Sequence, residues 1–127
     1  MSLSAVETQR VEKPWGYELI WARTDSYVGK ILHVRRGHAL SLQYHRVKEE
    51  TIRLLSGRMR FETGTDRGER EVRILEAGDG AHVPPGLRHR MEALEDCEVL
   101  EVSTPDLDDV VRLEDRYGRA ERSSDGR

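Results

Sequence analysis

The chain of 127 residues contains little of what marks several large classes of protein. Its single cysteine, Cys97, cannot form an internal disulfide, which agrees with a reducing compartment. We expect this thiol to be buried because it opens an apolar run. No apolar run approaches the length of a bilayer-spanning helix, and the first ten residues lack the apolar core of a secretory signal. These absences argue against a membrane partner and predict a cytoplasmic protein.

An excess of charge of one sign is lacking as well. The 21 basic and 24 acidic residues are interspersed and leave a formal charge of -3. Such a surface offers no broad positive field for nucleic acid or for an anionic membrane, so small ligands or protein partners are expected. An apolar fraction of 36% in a chain of this length can fill one modest core, which indicates one domain.

Short segments rich in apolar and β-branched residues, separated by glycine-bearing turns, run through most of the chain, and no long amphipathic helix precedes residue 105. This pattern predicts an all-β sandwich or barrel of antiparallel strands. The expected strands cover residues 15–22, 28–35, 40–45, 51–55, 58–63, 71–75, 80–84, 89–94 and 97–102. After Pro105 we expect a short helical turn, solvated acidic residues at 106–109, and a disordered polar tail from residue 120 to residue 127.

Side chains with metal-ligand chemistry lie on several of these predicted strands. Gln43 and His45 are two residues apart and share a face, and Glu50 returns on the adjoining strand, where it can lie beside His45. His89 follows a Pro-Pro-Gly turn, whose rigid bend fixes the direction from which this histidine enters its strand. Two imidazole nitrogens and two oxygens would bind one divalent transition metal and leave positions open for water or substrate.

The spacing of these residues resembles the two motifs of the cupin family. The first motif matches Gly37, Gln43, His45, Glu50 and Gly57, and the second matches Gly78, Pro84, Gly86 and His89. Gln43 replaces the commoner first histidine, and Ala93 stands where the second motif usually has asparagine. The resemblance implies a small double-stranded β-helix, or jelly roll, over residues 13–119, with residues 1–12 as an N-terminal extension. It also implies that Gln43, His45, Glu50 and His89 bind one ion of zinc, manganese, cobalt, nickel or iron.

A closer resemblance is to the type II mannose-6-phosphate isomerase branch of the cupins. Three segments match that branch in order, namely KPWGYE at 13–18, SLQYH at 41–45 and DDVVRLEDRYGR at 108–119. The last segment is the most specific, whereas Thr51 departs from the histidine that is usual in the branch. The resemblance implies interconversion of mannose 6-phosphate and fructose 6-phosphate through an open-chain sugar and an enediol intermediate.

That chemistry needs a base that carries a proton between two adjacent carbons. Glu101 is the first candidate because strand alternation puts Val99, Glu101 and Ser103 on one face, although this carboxylate can equally pair with an arginine inside the barrel. His82 and Lys30 are the alternative candidates.

The same chemistry needs cations that hold the phosphate of the sugar. The candidates are Arg88, Arg90 and Arg112, because a planar guanidinium forms paired hydrogen bonds with phosphate oxygens. Arg88 and Arg90 flank His89, and neighbours on a strand point to opposite sides, so only one of the two sets can face a metal. Arg112 lies in the segment that resembles the isomerases.

Two other functions remain open from the sequence. One is a different metal-dependent cupin enzyme, such as a dioxygenase or another sugar epimerase or isomerase, although oxygen chemistry would require iron, for which Gln43 is less suited. The other is a non-catalytic cupin that binds a sugar. In each case a small sugar or sugar phosphate is the expected partner. We also expect a homodimer that pairs through an edge strand, in which the N-terminal strand beginning at Trp15 helps to cover the partner.

Overall fold

A computed structural model describes residues 5–120, and the elements within them are eleven strands. Their bounds are β1 Gln9–Lys13, β2 Gly16–Arg23, β3 Val28–Val34, β4 Leu42–Tyr44, β5 Glu50–Ser56, β6 Arg58–Gly64, β7 Arg70–Glu76, β8 Gly80–Val83, β9 Arg88–Ala93, β10 Cys97–Ser103 and β11 Val111–Glu114. They form a six-stranded sheet in the order β1-β2-β3-β10-β5-β8 and a five-stranded sheet in the order β11-β4-β9-β6-β7. All described pairings are antiparallel.

The core lies between the two sheets and follows from the alternation of apolar residues along each strand. In β5, for example, Ile52 and Leu54 are buried while Arg53 and Leu55 are exposed. The apolar cluster comprises Trp15, Leu32, Val34, Ile52, Leu54, Met59, Phe61, Leu75, Val83, Met91, Ala93, Cys97 and Val99. The buried position expected for Cys97 is therefore confirmed, and burial raises the pKa of its thiol to about 11.

The inward-facing positions change from apolar to charged toward one end of the six-stranded sheet. Lys30 and Glu101 lie directly opposite each other on β3 and β10, and Glu50 lies opposite Ser103 on β5 and β10. All four side chains are buried. Because three neighbouring strands place polar residues at the same depth, this end of the sandwich forms a polar interior rather than more core.

The strands expected between residues 15 and 102 correspond to β2 to β10, within a few residues at each end. Residues 111–114, after Pro105, form a strand that was not expected, β11, which pairs with β4. Turns lie on either side of it at 107–108 and 116–117. A four-residue strand has too little internal pattern to be recognised, because its conformation depends on the edge of β4 that it joins. Strand β1 falls mostly within the segment expected as an N-terminal extension and pairs with β2. The domain bounds remain predictions, and residues 121–127 of the expected tail lie outside the described residues.

The strand that we expected to cover a second copy is not at an edge. Strand β2 is paired on one side with β1 and on the other with β3. Its backbone groups are therefore already bonded within the sheet, and the edge role assigned to it is wrong. The homodimer itself stays a prediction. Among the described residues, no helix is long and apolar enough to cross a membrane.

Candidate metal centre

Three of the four predicted metal ligands meet at the polar end of the sandwich. His45 follows β4, Glu50 begins β5, and His89 lies in β9. Each offers one ligand atom, these atoms all lie within 4.8 Å of one another, and all three residues are buried. Gln43 lies opposite His89 in the register of β4 and β9. It lines a cavity that adjoins these residues and that His45 and Glu50 also line. Its side-chain oxygen accepts a hydrogen bond from Ser41 Oγ at 2.6 Å.

The two histidine rings are oriented as metal ligands usually are. His45 Nδ1 donates to the carbonyl oxygen of Asp109 at 2.5 Å, and His89 Nδ1 donates to the carbonyl oxygen of Leu87 at 2.9 Å. Because a carbonyl only accepts, each Nδ1 must carry a hydrogen, and in the neutral ring each Nε2 then presents a lone pair. Both Nε2 atoms are buried and have no hydrogen-bond partner within residues 5–120. Burial lowers the pKa of His45, which favours the neutral ring.

Glu50 lies between the two rings. Its carboxylate oxygens are 3.6 Å from His45 Nε2 and 3.5 Å from His89 Nε2. Two ligands each about 2.1 Å from one ion lie roughly 3.0–3.4 Å apart at octahedral or tetrahedral angles, so this spacing is close to that of a ligand set. Burial alone would raise the pKa of Glu50, but His89, Lys48 and His45 outweigh it and lower the pKa to about 2. The carboxylate is therefore charged, as a metal ligand must be.

Lys48 is a further buried charge beside this cluster. Its Nζ lies 3.2 Å from Glu50 Oε1 and 3.3 Å from Glu101 Oε2. Burial lowers the pKa of Lys48, but the charges of Glu101 and Glu50 outweigh it and raise the pKa above its ordinary value. Two partnerless imidazole nitrogens and a charged carboxylate nonetheless form a donor set that fits a divalent transition metal. The cluster could hold such an ion.

A cavity adjoins the cluster and carries more positive than negative charge. Among the described residues, five cationic side chains and three carboxylates line it. The cations are Lys13, Lys30, Lys48, Arg112 and Arg119, and the carboxylates are Glu18, Glu50 and Glu101. Lys30 Nζ lies 3.3 Å from Glu18 Oε1. Such a lining favours an anionic ligand.

The structure separates the three candidates for the base. Glu101 and Lys30 line the cavity, and burial together with the charge of Glu50 raises the pKa of Glu101. His82 lies on the outer face of β8, where its side chain is 57% exposed and contacts Glu49 at 2.6 Å. It alternates with buried Val83 and therefore points away from the cavity. The position of His82 therefore does not support a role as the base.

The structure likewise separates the three arginine candidates. Arg112 lines the cavity, whereas Arg88 and Arg90 alternate with buried His89 and lie on the outer face. Arg90 pairs with Glu62 at 3.2 Å, and Arg88 lies 4.6 Å from the centre of the Tyr44 ring. The positions of Arg88 and Arg90 therefore do not support contact with a ligand in this cavity.

Four charged residues of the cavity were not found from the sequence, namely Lys13, Glu18, Lys48 and Arg119. Lys13 and Glu18 lie in KPWGYE, and Arg119 ends DDVVRLEDRYGR, so two of the three resembling segments contain a signal for these residues. Lys48 had a weaker signal, since it is two residues before Glu50 in a loop without alternation. Burial lowers the pKa of Lys13, and the charges of Lys30, Arg112 and Arg119 act in the same direction. These cations therefore surround one space.

The two antiparallel sheets form the fold of a cupin. A family model for the cupin domain matches residues 30–103, which is more than half of the chain. The chain therefore belongs to the cupin family, and both the jelly-roll fold and the family resemblance inferred from the two motifs are confirmed.

Two curated relatives allow a more specific comparison than the family model does. The chain is 36% identical over 117 residues to mannose-1-phosphate guanylyltransferase ManC of Salmonella typhimurium, covering 87% of this chain and 23% of that protein. It is also 36% identical over 117 residues to xanthan biosynthesis protein XanB of Xanthomonas campestris pv. campestris, covering 87% of this chain and 24% of that protein. The chain thus spans about a quarter of the length of these relatives.

Solved structures agree on the fold. Oxalate decarboxylase from Bacillus subtilis superposes with a TM-score of 0.74 and 20% identity, over 89% of this chain and 33% of that chain. KdgF from Halomonas sp. gives a TM-score of 0.65 and 23% identity, over 78% of this chain and 87% of that chain. At these identities the likeness shows the fold alone.

Proposed function

We propose that this cupin is a metal-dependent isomerase of sugar phosphates, of the mannose-6-phosphate isomerase type. The observation that carries the proposal is the cavity itself, lined by His45 and Glu50 of the candidate metal cluster, by the buried carboxyl group of Glu101 and by an excess of cations. The relatives support a mannose phosphate as the ligand, since one of them is named for mannose 1-phosphate. The cytoplasmic location and the homodimer expected from the sequence remain predictions.

Gln43, His45, Glu50 and His89 would hold the ion. A divalent ion there would act as a Lewis acid on a carbonyl oxygen of the substrate. Because Glu50 is the only charged residue in this set, the site would keep net positive charge, which suits an electron-rich oxygen.

Glu101 would carry the proton between the adjacent carbons of the open-chain sugar. Its raised pKa brings it closer to neutrality, where a general base and acid works best. Lys48 holds one oxygen of this carboxyl group at 3.3 Å, and so keeps it turned toward the cavity. Lys30 is the second candidate, but its ammonium group is already paired with Glu18. The enediol is the intermediate expected of this reaction.

Lys13, Arg112 and Arg119 would hold the phosphate. All three line the cavity, and two of them are guanidinium groups that match phosphate oxygens in paired hydrogen bonds. The binding energy of a remote phosphate can position the sugar at the reacting carbons.

The test is conversion of mannose 6-phosphate to fructose 6-phosphate by the purified chain, after metal removal and after readdition of zinc, manganese, cobalt, nickel or iron. We expect turnover that returns with metal and falls by at least about a hundredfold in Glu101→Gln, because a general base contributes about 10²–10⁴-fold. His89→Ala should lose the turnover that metal restores, because it removes one of the candidate ligands. Glu98→Gln and His82→Ala are matched controls, since both side chains lie on the outer face of the same sheet.

Three outcomes separate the hypotheses. Turnover that needs both metal and Glu101 supports the isomerase. Metal binding without turnover rejects this substrate and leaves another cupin enzyme or a sugar-binding cupin. Equal losses in the control variants and in Glu101→Gln and His89→Ala would show that the changes act through folding, and would remove the support for Glu101 and His89.

A further inference from the structure

Asp109 connects the C-terminal segment to the loop that carries the candidate ligands. Its carboxylate accepts hydrogen bonds from three successive backbone N–H groups, those of Arg46 at 3.0 Å, Val47 at 2.7 Å and Lys48 at 2.8 Å. Its backbone carbonyl oxygen accepts the hydrogen of His45 Nδ1 at 2.5 Å. One residue therefore contacts both the ring of a candidate ligand and the loop that follows it.

This loop needs an external partner. Residues 45–49 lie between β4 and β5 and belong to neither strand. Successive N–H groups that converge on one point form an anion-binding concavity, and here the Asp109 carboxylate fills it. Both carboxylate oxygens take part, since Oδ1 accepts from Arg46 N and Oδ2 accepts from Val47 N and Lys48 N.

The loop also fixes the distance between two candidate ligands. His45 precedes it and Glu50 follows it, whereas His89 is oriented by Leu87 within its own turn. Movement of the loop would therefore change the position of His45 relative to Glu50. The carbonyl oxygen of His45 also accepts a hydrogen bond from Gly86 N at 2.8 Å, which ties the start of the loop to the turn before His89. The acidic residues at 106–109 were expected to be solvated; Asp109 is partly exposed, and its carboxylate also accepts these hydrogen bonds.

We propose that Asp109 is the positioning residue of the metal centre: its carboxylate holds the loop from Arg46 to Lys48, and its carbonyl oxygen holds the His45 ring. The inference rests on the metal centre of the proposed function but not on the isomerase reaction. Outer partners that orient a ligand change metal affinity by about 10–100-fold when they are removed.

The test measures Co²⁺ affinity of the full chain by competition with a chelating dye, together with the visible absorption of bound Co²⁺. The first variant, Asp109→Asn, keeps one acceptor oxygen. If it does not fold, Asp109→Ser is measured instead, because its hydroxyl can also accept a hydrogen bond. We expect affinity at least about tenfold weaker than in the unchanged chain, with an altered Co²⁺ spectrum.

Two controls separate positioning from stability and from charge. Asp108→Asn makes the same charge change at the exposed neighbour. Glu62→Gln removes a buried carboxylate that is paired with Arg60, Arg70 and Arg90 and does not line the cavity. We expect both controls to bind Co²⁺ as the unchanged chain does, even though Glu62→Gln lowers the midpoint of thermal unfolding.

The opposite results overturn the inference. Equal Co²⁺ affinity in Asp109→Asn and in the unchanged chain would reject the positioning role and leave the metal centre intact. An equal loss in Glu62→Gln would assign the effect to general stability and would also reject it. If the unchanged chain binds no Co²⁺, the metal centre fails and the inference fails with it.

Discussion

At the scale of single residues, Asp115 shows how a carboxylate holds a cation at the cavity. The Asp115 side chain is fully buried, and it accepts hydrogen bonds from Arg119 through the backbone N at 2.7 Å, Nε at 2.9 Å and Nη2 at 3.1 Å. Burial would raise the pKa of Asp115, but these bonds outweigh it and lower the pKa below its ordinary value. Arg119 is thereby held in one direction, which a phosphate-binding guanidinium needs.

Asp115→Asn should lower the free energy of unfolding by about 1–3 kcal/mol at neutral pH, because hydrogen bonds to a charged group are lost. A lowered pKa in the folded state means that the stabilisation is complete above the unfolded pKa of about 3.9 and is lost as the pH falls further. Urea unfolding at pH 7 and near pH 3 measures the difference. A difference that stays constant between these pH values would contradict the ionic role of Asp115.

At the scale of elements, the two glycines Gly57 and Gly37 of the first motif are required by different structural constraints. Gly57 lies between β5 and β6 with a φ of +91°, and an added Cβ would lie 2.2 Å from the carbonyl oxygen of Asp96. Gly37 has a φ of +82°, and an added Cβ would meet nothing within 4 Å among the described residues. The first position is constrained by backbone angle and by space, the second by backbone angle alone.

Gly37→Ala should therefore cost about 1–2 kcal/mol of unfolding free energy, the cost of a left-handed conformation for a residue with a Cβ. Gly57→Ala should cost clearly more, because the loop that contains Asp96 must move as well. Urea unfolding of the two variants side by side measures the difference. Equal costs would show that the contact with Asp96 relaxes freely.

At the scale of the whole molecule, the candidate ligands join the two sheets. His89 belongs to the five-stranded sheet and His45 follows a strand of it, while Glu50 belongs to the six-stranded sheet. A bound ion would therefore connect the two layers of the sandwich at their polar end. A ligand that binds only the folded state raises the free energy of unfolding, by an amount set by the concentration and the affinity of the ligand.

Metal at one hundred times its dissociation constant should add about 2.7 kcal/mol to the free energy of unfolding and raise the unfolding midpoint by roughly 10 °C. Differential scanning fluorimetry with zinc or manganese, and then with a chelator, measures this shift. His89→Ala should abolish the shift, and His82→Ala should retain it. A shift of the same size in His89→Ala would place the bound ion elsewhere.

The prediction from the sequence succeeded where the signal is local. Alternation over seven residues is enough to recognise β5 or β10, and the order and spacing of His45, Glu50 and His89 are enough to recognise a cupin. It failed for β11, whose four residues become a strand because they meet β4. It also kept His82 as an alternative to Glu101 for the base, since the inward face of a strand depends on what packs against it.

The sequence by itself determined the strand-forming segments, the turns and the set of candidate metal ligands, because backbone preference and motif spacing are properties of neighbouring residues. Only the tertiary structure decided which charges surround those ligands. Lys13, Lys48 and Arg119 come from distant parts of the chain, and the pairing of strands brings them to one cavity. Asp109 likewise contacts a loop more than sixty residues earlier in the chain. Such contacts depend on how the two sheets close, which no local pattern encodes.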